Sequence, residues 1–426
     1  MLDHFFDQDI AALRDQLQPG EQLRTLSYAV LREEALRVFP EEVASGLEPM
    51  SRPSLERLRQ AYNHRLQRLI EDEWVAWPFD VLVAPSDLFF YVRGLPRVCH
   101  QLGVPFVVAQ KETTIAQTTL EHHSLAVREH APPIADVMTT CSERQKEFWV
   151  RSGADPDTIV VTGQPRFDVY VSHDARPSAS GRPTALFFSY HADAYHPSGS
   201  GGIEGTPAWK ALHAQTETGL WQLVRDGWDV VIKPHPQQDF AGDRRRIAAA
   251  LPGELAASVR FADPGEDARR LILDADVIVG FQTTGLIESL AAGRPVVFTG
   301  WDPEWHRLRD ELIPFHRWPD VFRIVERADD LPGAIAAARG TRLEGAAVTH
   351  AKEVVEFYLG PVDGDASRRV LDVIRAQTSA WAADRDVSAV RRREQLRRPQ
   401  QKVRHVRRGY RRGRRLLTAL LRARAA

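Results

Sequence analysis

No run of apolar residues in this chain approaches the roughly twenty that a helical bilayer crossing requires, so no helix is expected to span a membrane. Cysteine is scarce. Cys99 and Cys141 stand far apart without a metal-site spacing, which predicts two buried, reduced thiols. The amino end, MLDHFFDQDI, lacks the basic-then-apolar order of a secretory signal, so a cytosolic location is expected. Net charge is nearly absent, at −1, but it is unevenly spread. Residues 391–426 hold 15 Lys or Arg and one acid, a net of +14, which leaves −15 for residues 1–390. The basic character belongs to the tail alone.

What is present is enough for two domains: 426 residues, of which 43% are hydrophobic. Residues 1–75 read as helices, with Leu55, Leu58, Tyr62, Leu66 and Leu69 recurring at three and four and Ser54 placed to cap the start. From Phe79 the pattern changes to short apolar runs between helical stretches: DVLVAP, GVPFVVAQ, ADVMTTCS and TIVVTG. After a Pro/Ser/Gly-rich joint near Arg176 to Pro183 come TALFFSY, WDVVIKP, ADVIVGF and RPVVFTG. This alternation predicts two successive parallel sheets covered by helices. The expected division is a helical extension over 1–75, a first Rossmann-like domain over 76–178, a second over 183–340, helices over 341–388 and a basic tail over 389–426. Asp80, Asp136, Asp229 and Asp276 each precede a valine that starts a run, and are expected to close the turns into the strands. The Gly/Ser-rich loop after Tyr190 reads equally as a lid or an insertion.

In open parallel sheets ligands bind beyond the carboxyl ends of the strands, and the informative polar residues fall there. A helix starting near Thr284 offers free N–H groups and a positive dipole end to a phosphate, with Thr283 and Thr284 adding hydroxyls. Glu288, one turn on, could accept from ribose hydroxyls, and Gly285 would allow close approach. The same spacing also suits an ordinary threonine N-cap. His235 is held between Pro234 and Pro236 just past a strand, where an imidazole can neutralise a phosphate or pass a proton to a leaving group. Lys233 adds charge or simply marks the strand end. In VTGQPRFD, Gly163 and Arg166 follow a strand, and the Arg166 fork suits a diphosphate or, equally, a brace to Asp168.

KPHP, the TT followed four residues later by an acid, GRPVVF and VTGQPRFD, in this order, resemble the CDP-glycerol glycerophosphotransferase family and related GT-B capsule and cell-surface polysaccharide transferases. The resemblance covers roughly Phe79 to Gly300. It implies an α/β GT-B fold with a cleft between two Rossmann-like domains and a CDP- or UDP-linked donor held by His235, Thr283, Thr284 and Glu288. It also implies transfer of a glycerol-phosphate or glycosyl group to an envelope polymer or lipid-linked acceptor. Threonines and a glutamate stand where relatives carry serines and an aspartate. The family's early histidine is absent: VPFVVAQ runs into Lys111, Glu112 and Thr113, which makes Glu112 the nearest acceptor-side base, with His122 and His123 behind it. That departure keeps open a catalytically silent partner protein and a sugar-nucleotide epimerase. No metal and no cofactor is expected, because the helix dipole, His235 and Arg166 can offset the diphosphate. From Arg391 to Arg424, arginines interleave with leucines and valines, as in a segment lying on an anionic membrane face. A solvated tail is the competing reading, and nucleic acid is not the expected partner.

Overall fold

A computed structural model describes residues 1–3, 6–111, 113–172, 181–190, 209–235, 240–384 and 386–396. The joint at 173–180, the loop at 191–208, Glu112, Pro236 and the tail from 397 lie outside the described residues.

The first sheet runs β1 (Leu82–Ala84), β2 (Phe106–Ala109), β3 (Val137–Thr140) and β4 (Ile159–Val161), all parallel and neighbours in chain order. Such an order, with right-handed crossovers, puts every crossover helix on one face. Strand alternation sends Leu82, Ala84, Phe106, Val108 and Met138 into that face. Val83, Val107, Ala109 and Val137 point the other way and would meet water. Helix Asp7–Asp15, through Ile10 and Leu13, and helix Ala366–Ala383, through Val370 and Leu371, cover them. Each such side chain contributes about 1.5–3 kcal/mol when fully buried. The two ends of the chain are therefore built into the first sheet's core.

The second sheet has the order β10-β9-β8-β5-β6-β7, again parallel: β5 (Thr184–Phe188), β6 (Asp229–Lys233), β7 (Val259–Phe261), β8 (Val277–Gly280), β9 (Val296–Thr299) and β10 (Arg323–Val325). The winding reverses at β5, which opens a crevice outside the carboxyl ends of β5 and β8. The edge strands β7 and β10 escape sequence reading: each has three residues and carries an exposed arginine, Arg260 or Arg323.

Two local expectations change in detail. Ser54 lies within a short 3-10 turn, and helix Glu56–Ala76 starts without a side-chain cap. The strand-opening aspartates act across strands: Asp136 accepts from the Phe106 N–H at 2.7 Å and Asp276 from the Thr184 N–H at 2.8 Å. They sit at the amino ends, away from the crevice. Cys99 and Cys141 are buried free thiols, and burial pushes Cys141 up to about 12.

Candidate functional site

The carboxyl ends of both sheets meet. After β8, the Gln282 amide is fixed by donating to the Ile313 carbonyl at 3.0 Å and accepting from its N–H at 2.9 Å. Thr283 then caps helix Thr284–Ala291, accepting from the Gly285 N–H at 3.2 Å. Thr284 is freed from capping, and its hydroxyl meets that of Thr114 from the first domain at 2.5 Å. Since β6 and β8 flank β5, His235 and Thr284 follow strand ends two spacings apart, about 10 Å.

Charges gather between the domains. Lys111, just past β2, is pushed down to about 8 by burial and then by Arg166, while Asp9 and Glu288 oppose the shift. His235 is lowered by burial first and then by Lys111 and Lys233, so it is a neutral imidazole near pH 7. Glu288 is raised by burial, against the pull of Arg166, the Tyr170 hydroxyl, Arg269 and Lys111. The Tyr170 phenol donates to Glu288 at 2.9 Å. Lys111 thus stands within electrostatic reach of both His235 and Glu288. A neutral imidazole, a helix amino end and a readily titrated ammonium around one space can bind a multiply charged phosphate and move a proton.

Arg166 is buried, and Asp168 is not its partner. Asp9 accepts from the Arg166 N–H at 3.2 Å and from the Gln164 amide at 2.6 Å, with the Arg166 Nε 4.0 Å from its second oxygen. Asp168 instead accepts from the Ala366 and Ser367 N–H groups at 3.0 and 2.9 Å, holding the start of helix Ala366–Ala383. Arg269, paired bidentately with Asp267, donates to the Arg166 carbonyl at 3.0 Å.

Other expected site residues serve the fold. The Lys233 ammonium is buried and donates to the Pro264 carbonyl at 2.7 Å and the Asp263 carbonyl at 3.3 Å, bracing the loop after β7. Gly285 faces the Phe188 ring, which a Cβ would meet at 2.9 Å, so its small size accommodates a side chain. Gly163 has φ +77°, and a Cβ there would meet the Pro361 carbonyl at 2.7 Å, at the return of the carboxyl-terminal segment. His122 is exposed, and His123 stacks on Phe148 at 5.8 Å within the first domain. The structure sets Arg166 and Glu288 in electrostatic reach of Lys111, with His235 near the same ammonium and Thr283 and Thr284 at the start of the helix that carries Glu288.

Sequence reading missed Asp9, Tyr170, Arg269 and Lys111 as site residues. Tyr170 follows Arg166 by four, a one-turn spacing that signals a shared face. Lys111 stands at a strand end as Lys233 does. Nothing local marks Asp9, whose partner Arg166 is 157 residues away.

The start of the basic segment is also used internally. Arg392 pairs with Glu71, Nη2 to Oε1 at 2.6 Å, and Arg393 is buried over the Trp74 ring, donating to the Leu102 and Gly103 carbonyls. Those two arginines are withdrawn from any membrane face. Residues 397–426 lie outside the described residues. No helix among the described residues is long and apolar enough to cross a membrane.

No family model matches the chain, and no curated protein matches it in sequence. Solved structures resemble it in fold. The S. aureus MnaA-UDP co-structure is 14% identical, covering 88% of this chain and 94% of that one at a TM-score of 0.50. A UDP-GlcNAc 2-epimerase from Methanocaldococcus jannaschii is 12% identical over 88% and 98%, also at 0.50. The wall teichoic acid polymerase TagF is 11% identical over 71% and 74% at 0.48. At such identities the likeness concerns the fold, and at 0.48 it carries nothing further. The chain has an α/β, GT-B-like fold: two Rossmann-like domains whose strand ends face each other across a cleft.

Proposed function

We propose that this chain is a GT-B transferase that takes a glycerol-phosphate or glycosyl group from a CDP- or UDP-linked donor to an envelope polymer or lipid-linked acceptor. One observation carries the reading: Lys111 of the first domain lies in electrostatic reach of both His235 and Glu288 of the second. The donor diphosphate rests on the amino end of helix Thr284–Ala291, its ribose on Glu288, which exchanges its Tyr170 bond for a ribose hydroxyl. His235 donates to the departing phosphate, and Lys111 and Arg166 offset its charge. Glu112, next to Lys111 in sequence, takes the acceptor's proton.

Full-length protein is expected to release CMP from CDP-glycerol, or UDP from a UDP-sugar, faster when a glycerol-phosphate oligomer or a lipid-linked saccharide is added. No release from either donor with either acceptor would remove the transferase reading. A second reading, a UDP-sugar epimerase, is favoured by the fold it shares with the UDP-GlcNAc 2-epimerase from Methanocaldococcus jannaschii and by a titratable pair, Lys111 and Glu288, at the site. Epimerised UDP-sugar formed without any acceptor would decide for it.

For the tail we propose reversible attachment to an anionic membrane. Arg392 and Arg393 are spent in the fold, and each remaining basic residue near the surface adds about 1 kcal/mol. Flotation with anionic liposomes should be lost when residues 397–426 are removed. Equal flotation of both forms would end this part of the proposal.

A further inference from the structure

A groove of about 1390 Å³ runs along the outer edge of the second sheet, beside β10 and under helix Ala346–Leu359. It touches the far end of the helix that starts at Thr284, at Leu290 and Ala291, about 11 Å along the axis from the cleft. Its charges are unbalanced. Arg309, Arg323, Arg342 and Lys352 line it with no ion-pair or hydrogen-bond partner among the described residues; Arg294 also lines it, with its Nη2 donating to the Leu273 carbonyl. The lining acids are Glu326 and Asp320, and Asp320 is already engaged by His350 at 2.6 Å.

Two buried donors in the same wall lack an acceptor among the described residues: Nε of Arg294 and the indole Nε1 of Trp305, a residue 1% exposed. Both atoms are shut off from solvent, so they lie behind the groove's surface and are not open contacts for a ligand. The groove is also apolar in part. Leu343 and Val348 stand 38% and 51% exposed in it, two of the few large aliphatic side chains left open to water. Surplus cations and open aliphatic surface ask for complementary features in one molecule.

We infer that this groove binds an organic phosphate: a phosphate ester whose anionic head pairs with the arginines and whose apolar body covers Leu343 and Val348. The site stands apart from the cleft, and its occupancy is independent of the donor reading. A ligand here abuts the far end of the helix whose amino end faces the cleft.

The test uses full-length protein and three probes: 1-naphthyl phosphate, 1-naphthol and inorganic phosphate. Calorimetry is expected to give one site for 1-naphthyl phosphate and much weaker binding of the other two. In Arg323→Glu/Arg342→Glu, both changes on exposed side chains, its affinity should fall at least about tenfold, through lost charge-assisted contacts. Val348→Asp should weaken it as well. His235→Ala, which alters only the cleft, should leave it unchanged, and CDP and UDP binding should persist in the groove variants. The Trp305 indole N–H resonance, assigned by its loss in Trp305→Phe, should move on addition of 1-naphthyl phosphate. Undetectable binding, equal binding of 1-naphthol or of inorganic phosphate, or equal affinity in Arg323→Glu/Arg342→Glu would overturn the assignment.

Discussion

Lys111 offers the sharpest quantitative test, because its ammonium sits well below the ordinary lysine range. Burial and Arg166 lower it from 10.5 to about 8 in the free protein. A bound diphosphate would favour the charged form, and full recovery of the ordinary value would be worth at most about 3.4 kcal/mol, less whatever solvent screens. The sign follows directly. The diphosphate prefers the protonated protein, so affinity is greatest below about pH 8 and declines as Lys111 loses its proton above it. For CDP, whose phosphates are mostly ionised at pH 7 and gain little further charge above it, Kd should rise about tenfold between pH 7 and pH 9. Lys111→Met should bind CDP more weakly at pH 7 and show no such rise. Titration calorimetry of both proteins at the two pH values is the assay. A wild-type Kd equal at pH 7 and pH 9, or the full dependence persisting in Lys111→Met, would refute this account of Lys111.

Three further outcomes follow from the packing. Asp9→Ala should lower stability by about 1–3 kcal/mol in denaturant unfolding, because it strips the acceptor from the buried Gln164 amide and the Arg166 backbone N–H; a change under about 0.5 kcal/mol would contradict it. Gly285→Ala should cost about 1–3 kcal/mol by driving a methyl into the Phe188 ring, visible as a lowered Tm. Arg393→Ala should destabilise the fold by about 2 kcal/mol and speed amide exchange in residues 387–396, since the buried guanidinium holds that helix to the Leu102 and Gly103 carbonyls.

The strands of both sheets that lie away from the edges of the second were legible because they are near-continuous apolar runs, the mark of parallel strands covered on both faces. The same runs locate their carboxyl ends, so His235, Thr283 and Thr284 could be placed just past strand ends from sequence, with Glu288 one helical turn on. β7 and β10 were not legible: VRF and RIV are too short for a periodicity, and each carries an arginine. Gly285 and Gly163 show why residue type alone misleads. Each glycine answers a close approach, but the approaching groups are Phe188 and the Pro361 carbonyl, which only packing reveals. Asp9 was invisible for a topological reason. A sheet wound in one direction leaves a bare face, and the helix that covers it brings an amino-terminal aspartate to the cleft.

Direct measurement of nucleotide binding by His235→Ala and Thr284→Val probes the shared diphosphate site most closely. Calorimetry at pH 7 is expected to show CDP or UDP binding to the wild-type chain, weakened about tenfold or more in each variant. Affinities for both nucleotides that match the wild type in both variants would contradict a donor held between β6 and the helix after β8.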